Sequence, residues 1–149
     1  MAPRLPTAEE INVFDSLDER CAVKNFLGKD LEQARSLFAE NFRHFQEDLM
    51  WMGPKAFAFY VPAAINYLLS EEADNAAGEV SSFCDLIEFR LQYEPAETAS
   101  VGPMLREGIL KMLENFGRYG FGGESYGDIY GNVAARYRAL LLRLDGSSR

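Results

Sequence analysis

Few residues are of a type and spacing that do chemistry, and each candidate set lacks a member. His44 is the only histidine. On a helix, Glu40 would lie one turn before it and Glu47 nearly one turn after, with Asp48 close by. A histidine base needs an orienting carboxylate and a nucleophile within reach. One histidine with flanking acids and nothing more reads as a solvated helix surface. Asp85 and Glu88 stand at i,i+3 and project side by side on a helix. Di-iron bundles combine carboxylates with Glu-x-x-His pairs on two helices, which a chain with one histidine cannot build. This pair is read as a polar face. Cys21 and Cys84 form no Cys-x-x-Cys motif and have no second pair, so a zinc cluster is not expected. Two reduced, buried thiols are the expectation, and a single disulfide is the alternative. No catalytic residue, metal site or cofactor is expected.

The glycine-rich stretch from Gly117 to Gly127 invites a phosphate-loop reading. Such loops follow a strand, open a helix and place a lysine beside the serine or threonine. Here a helical pattern precedes the stretch, no lysine is present, and Glu124 would repel a phosphate. It reads as a flexible helix–helix connection, with Tyr119, Phe121 and Tyr126 as possible points of contact for a partner.

The 149 residues suit one globular domain, and 48% are hydrophobic against 26% charged. The net charge of −8 argues against nucleic acid or an anionic membrane as the main partner, because both call for a basic face. The acidity is uneven. Residues 71–97 hold Glu71, Glu72, Asp74, Glu79, Asp85, Glu88, Glu94 and Glu97 against Arg90 alone. Residues 136–149 hold four arginines against Asp145. A field this lopsided can steer a basic partner, and its bland counterpart is a solvated face that aids solubility. The opening residues lack the apolar core of a signal peptide. The longest uncharged run, Ala56 to Ser70, is too short to span a bilayer. A cytoplasmic location is expected.

The elements that must position these residues are helical throughout. Thr7 and Glu10 make a capping box, after which Ile11, Phe14 and Leu17 share one face. Gly28 breaks the chain before Asp30, the N-cap of a helix with Leu31, Ala34, Phe38, Phe42 and Phe45 on one stripe. Gly53-Pro54 opens a helix with Phe57, Val61, Ala64, Ile65 and Leu68 inward, and Pro62 is expected to kink it. Val80, Phe83, Cys84, Ile87 and Leu91 mark the next helix, which stops before Pro95. Pro103 opens another with Leu105, Ile109, Met112, Leu113 and Phe116. The last carries Ile129, Val133, Tyr137, Leu140, Leu141 and Leu144, and ends near Gly146. The expected fold is all-α, a single compact domain over residues 1–149 with about six helices around a Pro-kinked central one.

Phe26-Leu27-Gly28-Lys29, then Ala34 and Leu37-Phe38, then Glu47 through the Ala56-Phe57-Ala58-Phe59-Tyr60-Val61-Pro62-Ala63 helix form a recognisable set. This part of the chain, about residues 20–70, resembles a family of small bacterial all-α proteins that share these stretches. Some of them are immunity-like. The resemblance implies no established activity and transfers no catalytic residue.

Two functions follow as expectations. One is stoichiometric binding of a basic protein partner, of immunity or regulatory type, with Glu71, Glu72 and Asp74 as the attracting residues. The other is a small-ligand or enzymatic helical domain with an aromatic pocket among Trp51, Phe59, Tyr60 and Tyr67.

Overall fold

The computed structural model describes residues 4–121 and 132–147. The all-α expectation holds: among the described residues there are helices, turns and no strand. Among the described residues seven helices run six residues or longer, and a single turn precedes them. They are α1 (Ala8–Ile11), α2 (Leu17–Phe26), α3 (Leu31–Trp51), α4 (Pro54–Leu68), α5 (Ala77–Tyr93), α6 (Pro95–Ser100), α7 (Gly102–Glu114) and α8 (Val133–Ser147). Short 3₁₀ segments lie at Glu71–Ala73 and Phe116–Tyr119. The contacts divide the chain into two compact units, Met1–Ala64 and Ile65–Arg149, and the division falls inside α4. That helix runs unbroken through Pro62, so no new helix starts there.

The first unit departs from the expected pattern at its start. Thr7 and Glu10 do form a capping box, but α1 ends at Ile11. A separate helix begins at Leu17 after a second capping box, Ser16 with Glu19. Phe14 and Leu17 therefore do not continue the face of Ile11: they are 77% and 74% exposed, while Ile11 is fully buried. The cause is local and polar. The buried Glu19 carboxylate accepts the N–H groups of Val13 at 2.7 Å, Phe14 at 3.0 Å and Ser16 at 3.1 Å, as well as the Ser16 hydroxyl. Burial disfavours its charge, but the Ser16 hydroxyl and the three backbone donors outweigh that and lower its pKa. A helical path through residues 12–16 would give up all of these bonds.

The rest of the unit follows the apolar stripes. Asp30 caps α3 reciprocally with Gln33, and Gly28 before it has φ +80°, a conformation open mainly to glycine. Ala34, Phe38 and Phe42 are buried, and Phe45 is half-buried. The backbone leaves helical geometry at Asn41, whose side-chain oxygen accepts the His44 N–H at 3.3 Å and recaps the second half of α3. Phe57, Tyr60 and Val61 of α4 are fully buried, and the Phe26 ring lies 5.0 Å from that of Tyr60 and 5.7 Å from that of Phe38. Gly53 closes the unit by donating its N–H to the Ile11 carbonyl at 2.9 Å.

In the second unit, Val80, Phe83, Cys84, Ile87 and Leu91 of α5 are buried, as are Leu105, Ile109 and Met112 of α7 and Val133, Tyr137, Leu140 and Leu144 of α8. Ile129 lies outside the described residues. The Tyr137 hydroxyl donates to the Val80 carbonyl and ties α8 to the first turn of α5. Pro95 stops α5 as expected and also opens the unforeseen α6, where the Thr98 hydroxyl donates to the Arg90 carbonyl at 3.2 Å. Gly108 sits against Ile65, where an added Cβ would lie 2.7 Å from a methyl carbon.

A Cβ at Gly53 would overlap the Glu10 carbonyl oxygen and crowd a Val13 methyl. The obstacle is backbone, which cannot swing aside. Gly53→Ala should therefore destabilise the protein by about 2 kcal/mol or more, in the range of core overpacking. Differential scanning calorimetry would register this as a fall of several degrees in Tm, at about 2–4 °C per kcal/mol for a chain of this size. An unchanged Tm would show that α1 and the turn before α4 do not approach as described.

Candidate functional site

The acidic turn after α4 is the candidate site, and its backbone is held from a distance. Glu71 and Glu72 lie on the 3₁₀ segment, both exposed, and Asp74 follows at its C-cap, also exposed. Helix α4 ends just before, leaving C-terminal carbonyls that need donors. Arg118, from the second 3₁₀ segment, provides them: one guanidinium nitrogen donates to the Leu68 carbonyl at 2.8 Å and to the Ser70 carbonyl at 2.9 Å. The other donates to the Asp74 carboxylate at 2.8 Å. The Tyr119 hydroxyl donates to the same Leu68 carbonyl at 2.6 Å, and the Asn75 N–H donates to the Arg118 carbonyl at 2.8 Å. The Arg118 guanidinium also packs 4.4 Å from the centre of the Tyr119 ring. Burial raises the Tyr119 pKa, so its hydroxyl stays a donor.

This corrects the reading of the glycine-rich stretch. Its first residues are part of a 3₁₀ turn, Phe116–Tyr119, and Tyr119 is fully buried core. Phe121 stacks on Phe116 at 4.7 Å between ring centres. Gly122 to Gly127, with Glu124 and Tyr126, lie outside the described residues. Gly120 has φ +95° and Asn75 opposite it has φ +65°, so the two turns meet through left-handed backbone.

Part of the acidic excess is consumed inside the second unit. Arg136 of α8 reaches both Asp85 and Glu88 of α5, so this carboxylate pair is an internal clamp rather than a plain solvated face. Asp74 likewise belongs to Arg118. Of the three residues expected to attract a partner, Glu71, Glu72 and Asp74, the last thus also has a structural partner that a lysine there would repel.

Trp51 is 41% exposed, Phe59 is half-buried and in ring contact with Tyr60 at 4.9 Å, and Tyr67 is buried. The Tyr60 hydroxyl, fully buried, lies 2.8 Å from both the Phe26 and Lys29 carbonyls and shares its proton between them. Burial, with Asp30 adding to it, pushes its pKa up to about 12. Tyr60 thus secures the α2–α3 turn. A cavity of about 310 Å³ lies against the start of α7 and the end of α8, lined by Pro103, Arg106, Leu110 and Leu144 among others. One of about 230 Å³ lies against α1 and α2. Neither takes in an aromatic side chain.

His44 is exposed on α3 and meets the Phe45 ring edge-on at 4.8 Å. Among the described residues, no three His, Cys, Asp or Glu side chains come together to hold a metal. Both cysteines are free thiols. Cys84 is buried as expected, and burial pushes its thiol up to about 12, but Cys21 is exposed on the polar side of α2. No described helix is long and apolar enough to cross a membrane. No family model, curated protein or solved structure matches the chain.

Sequence reasoning missed Glu19 and Arg118, and it read Asp48, beside His44, as part of a solvated helix surface. Ser16-x-x-Glu19 carries the capping-box spacing and was legible; Arg118 had no local signal, because its acceptors lie 48 and 50 residues away. Asp48 is buried and accepts from the Asn25 amide at 2.7 Å. Burial raises its pKa, against the Asn25 bond and the nearby His44 charge. A raised carboxyl pKa means that the cost of burying the charge is present above the folded pKa and vanishes below the unfolded value of about 3.9. Asp48→Asn should therefore be at least as stable as wild type at pH 7, with its relative advantage shrinking as pH falls towards 3. Urea melts across that range would show the convergence. A variant less stable at pH 7 by an amount that does not change with pH would contradict it.

Proposed function

We propose that this chain is a cytoplasmic, stoichiometric protein-binding protein of immunity or regulatory type that recognises a basic partner. The observation that carries the reading is the acidic turn at Glu71 and Glu72: two exposed carboxylates on a backbone already fixed by Arg118 and Tyr119. A preordered charged turn loses little entropy on docking, and surface charges act chiefly on encounter. The net charge of −8 and the resemblance to immunity-like bacterial proteins support the same reading. Nucleic acid is disfavoured as a partner on charge.

The test begins with a pull-down from the source organism, followed by stopped-flow association with the recovered partner. Glu71→Lys/Glu72→Lys leaves the Asp74–Arg118 pair in place and should slow association by about tenfold at low salt. The gap should largely close at high salt, since surface charges are screened over about 8 Å at physiological ionic strength and less beyond it. An association rate equal to wild type at low salt would overturn the steering role. Failure to recover a basic protein at fixed stoichiometry would overturn the reading itself.

A further inference from the structure

The turn between α1 and α2 presents apolar side chains to water on a backbone held by the Glu19 carboxylate. Phe14 is 77% exposed, Leu17 74% and Val13 48%, all within five residues. Exposed apolar side chains grouped in this way, rather than scattered singly, are the kind of surface that marks an interaction site. Here the Glu19 carboxylate holds the N–H groups of Val13, Phe14 and Ser16, and Asp15 sits at φ +55°, so the turn is locked in the exposed form. The base of the turn is equally constrained, because Val13 lies against Gly53.

The electrostatics around this tip select its occupant. Residues 9–19 contain Glu9, Glu10, Asp15, Asp18 and Glu19 with no lysine or arginine among them. Glu10 is paired with Arg4 and has Lys55 at 4.0 Å, Asp15 is paired with Arg20, and Glu19 is spent on the turn itself. Glu9 and Asp18 remain as exposed acids on either side of the apolar tip. A two-fold contact between copies of this chain through this tip would set the same acidic patch on both sides, which is unfavourable. A partner with basic residues around an apolar hollow meets both features at once. Aromatic side chains are enriched in the buried centres of interfaces, with charges at the rim.

We propose that the Val13–Leu17 turn is an apolar anchor for a basic protein partner, with Phe14 entering a hollow rimmed by lysine or arginine. This rests on the reading of the chain as a protein-binding protein, and it assigns the anchor to a different part of the chain from the steering carboxylates. The two make separable kinetic predictions: the anchor acts on dissociation and the charges on association.

The experiment places a photo-crosslinking amino acid at position 14 of the full chain, and in a parallel sample at position 142, then irradiates each in extract of the source organism. Leu142 is 75% exposed on α8 and serves as an equally apolar control. The expected result is a crosslink from position 14 to one basic protein. With that protein purified, Phe14→Ser and Leu17→Ser should each raise the dissociation rate by about tenfold or more, while Leu142→Ser leaves it unchanged. Unchanged melting curves for the two serine variants would show that lost folding is not the cause. A crosslink only to a second copy of this chain would overturn the proposal in favour of self-association. An unchanged dissociation rate in Phe14→Ser and Leu17→Ser, alongside slowed association in Glu71→Lys/Glu72→Lys, would remove the anchor and leave the binding reading standing. Crosslinking to no basic protein, with none recovered by pull-down, would remove both.

Discussion

A helix that ends away from water leaves carbonyl groups without donors, and a helix that begins there leaves N–H groups without acceptors. The shape of every functionally interesting turn in this chain follows from how that requirement is met. At the end of α4, Arg118 and Tyr119 cover the Leu68 and Ser70 carbonyls. At the end of α2, the Tyr60 hydroxyl covers those of Phe26 and Lys29. Before α2, Glu19 covers three N–H groups. Each solution ties a turn to a residue of a helix or 3₁₀ segment, and each fixes what the turn displays. In two cases the display is exposed: the Glu71 and Glu72 carboxylates, and the Phe14 and Leu17 side chains, whose exposure folding alone would not favour.

The charge pattern gains meaning from the same bonds. The acidic stretch from 71 to 97 and the arginine-rich end of the chain are not simply two poles of a field, because Arg136 bridges Asp85 and Glu88 and Arg118 holds Asp74. Pairs of this kind, partly exposed, contribute little stability each. Their larger effect is to join α8 to α5 and the second 3₁₀ turn to the first.

The legible part of this architecture was what repeats with a helix's own period or sits beside its caps. Thr7 with Glu10, Asp30 before its stripe, Gly53-Pro54 and the inward rows of α4 and α5 are all local signals, and the structure follows them; in α7 it follows Leu105, Ile109 and Met112, while Leu113 is half-buried and Phe116 lies beyond the helix. The Ser16–Glu19 box was equally local, but the apolar spacing of Ile11, Phe14 and Leu17 competed with it, and three backbone hydrogen bonds outweighed a hydrophobic pattern. The reach of Arg118 across some fifty residues was not legible at all, since nothing near it in sequence indicates which carbonyls lack donors. Tyr60 and Tyr119 read as pocket or loop aromatics because a sequence shows their rings and not the acceptors of their hydroxyls.

The central claim is that the forked geometry of Arg118, and not merely its charge, holds the acidic turn in place. Amide hydrogen exchange in wild type and Arg118→Lys tests it most directly, because lysine keeps the charge and loses the planar fork that reaches two carbonyls and a carboxylate together. The account predicts that the amides of Ala73, Asp74, Asn75 and Ala76, all hydrogen-bonded in the wild-type turn, exchange faster in the variant by about tenfold or more. Equal protection of these four amides in the two proteins would contradict it.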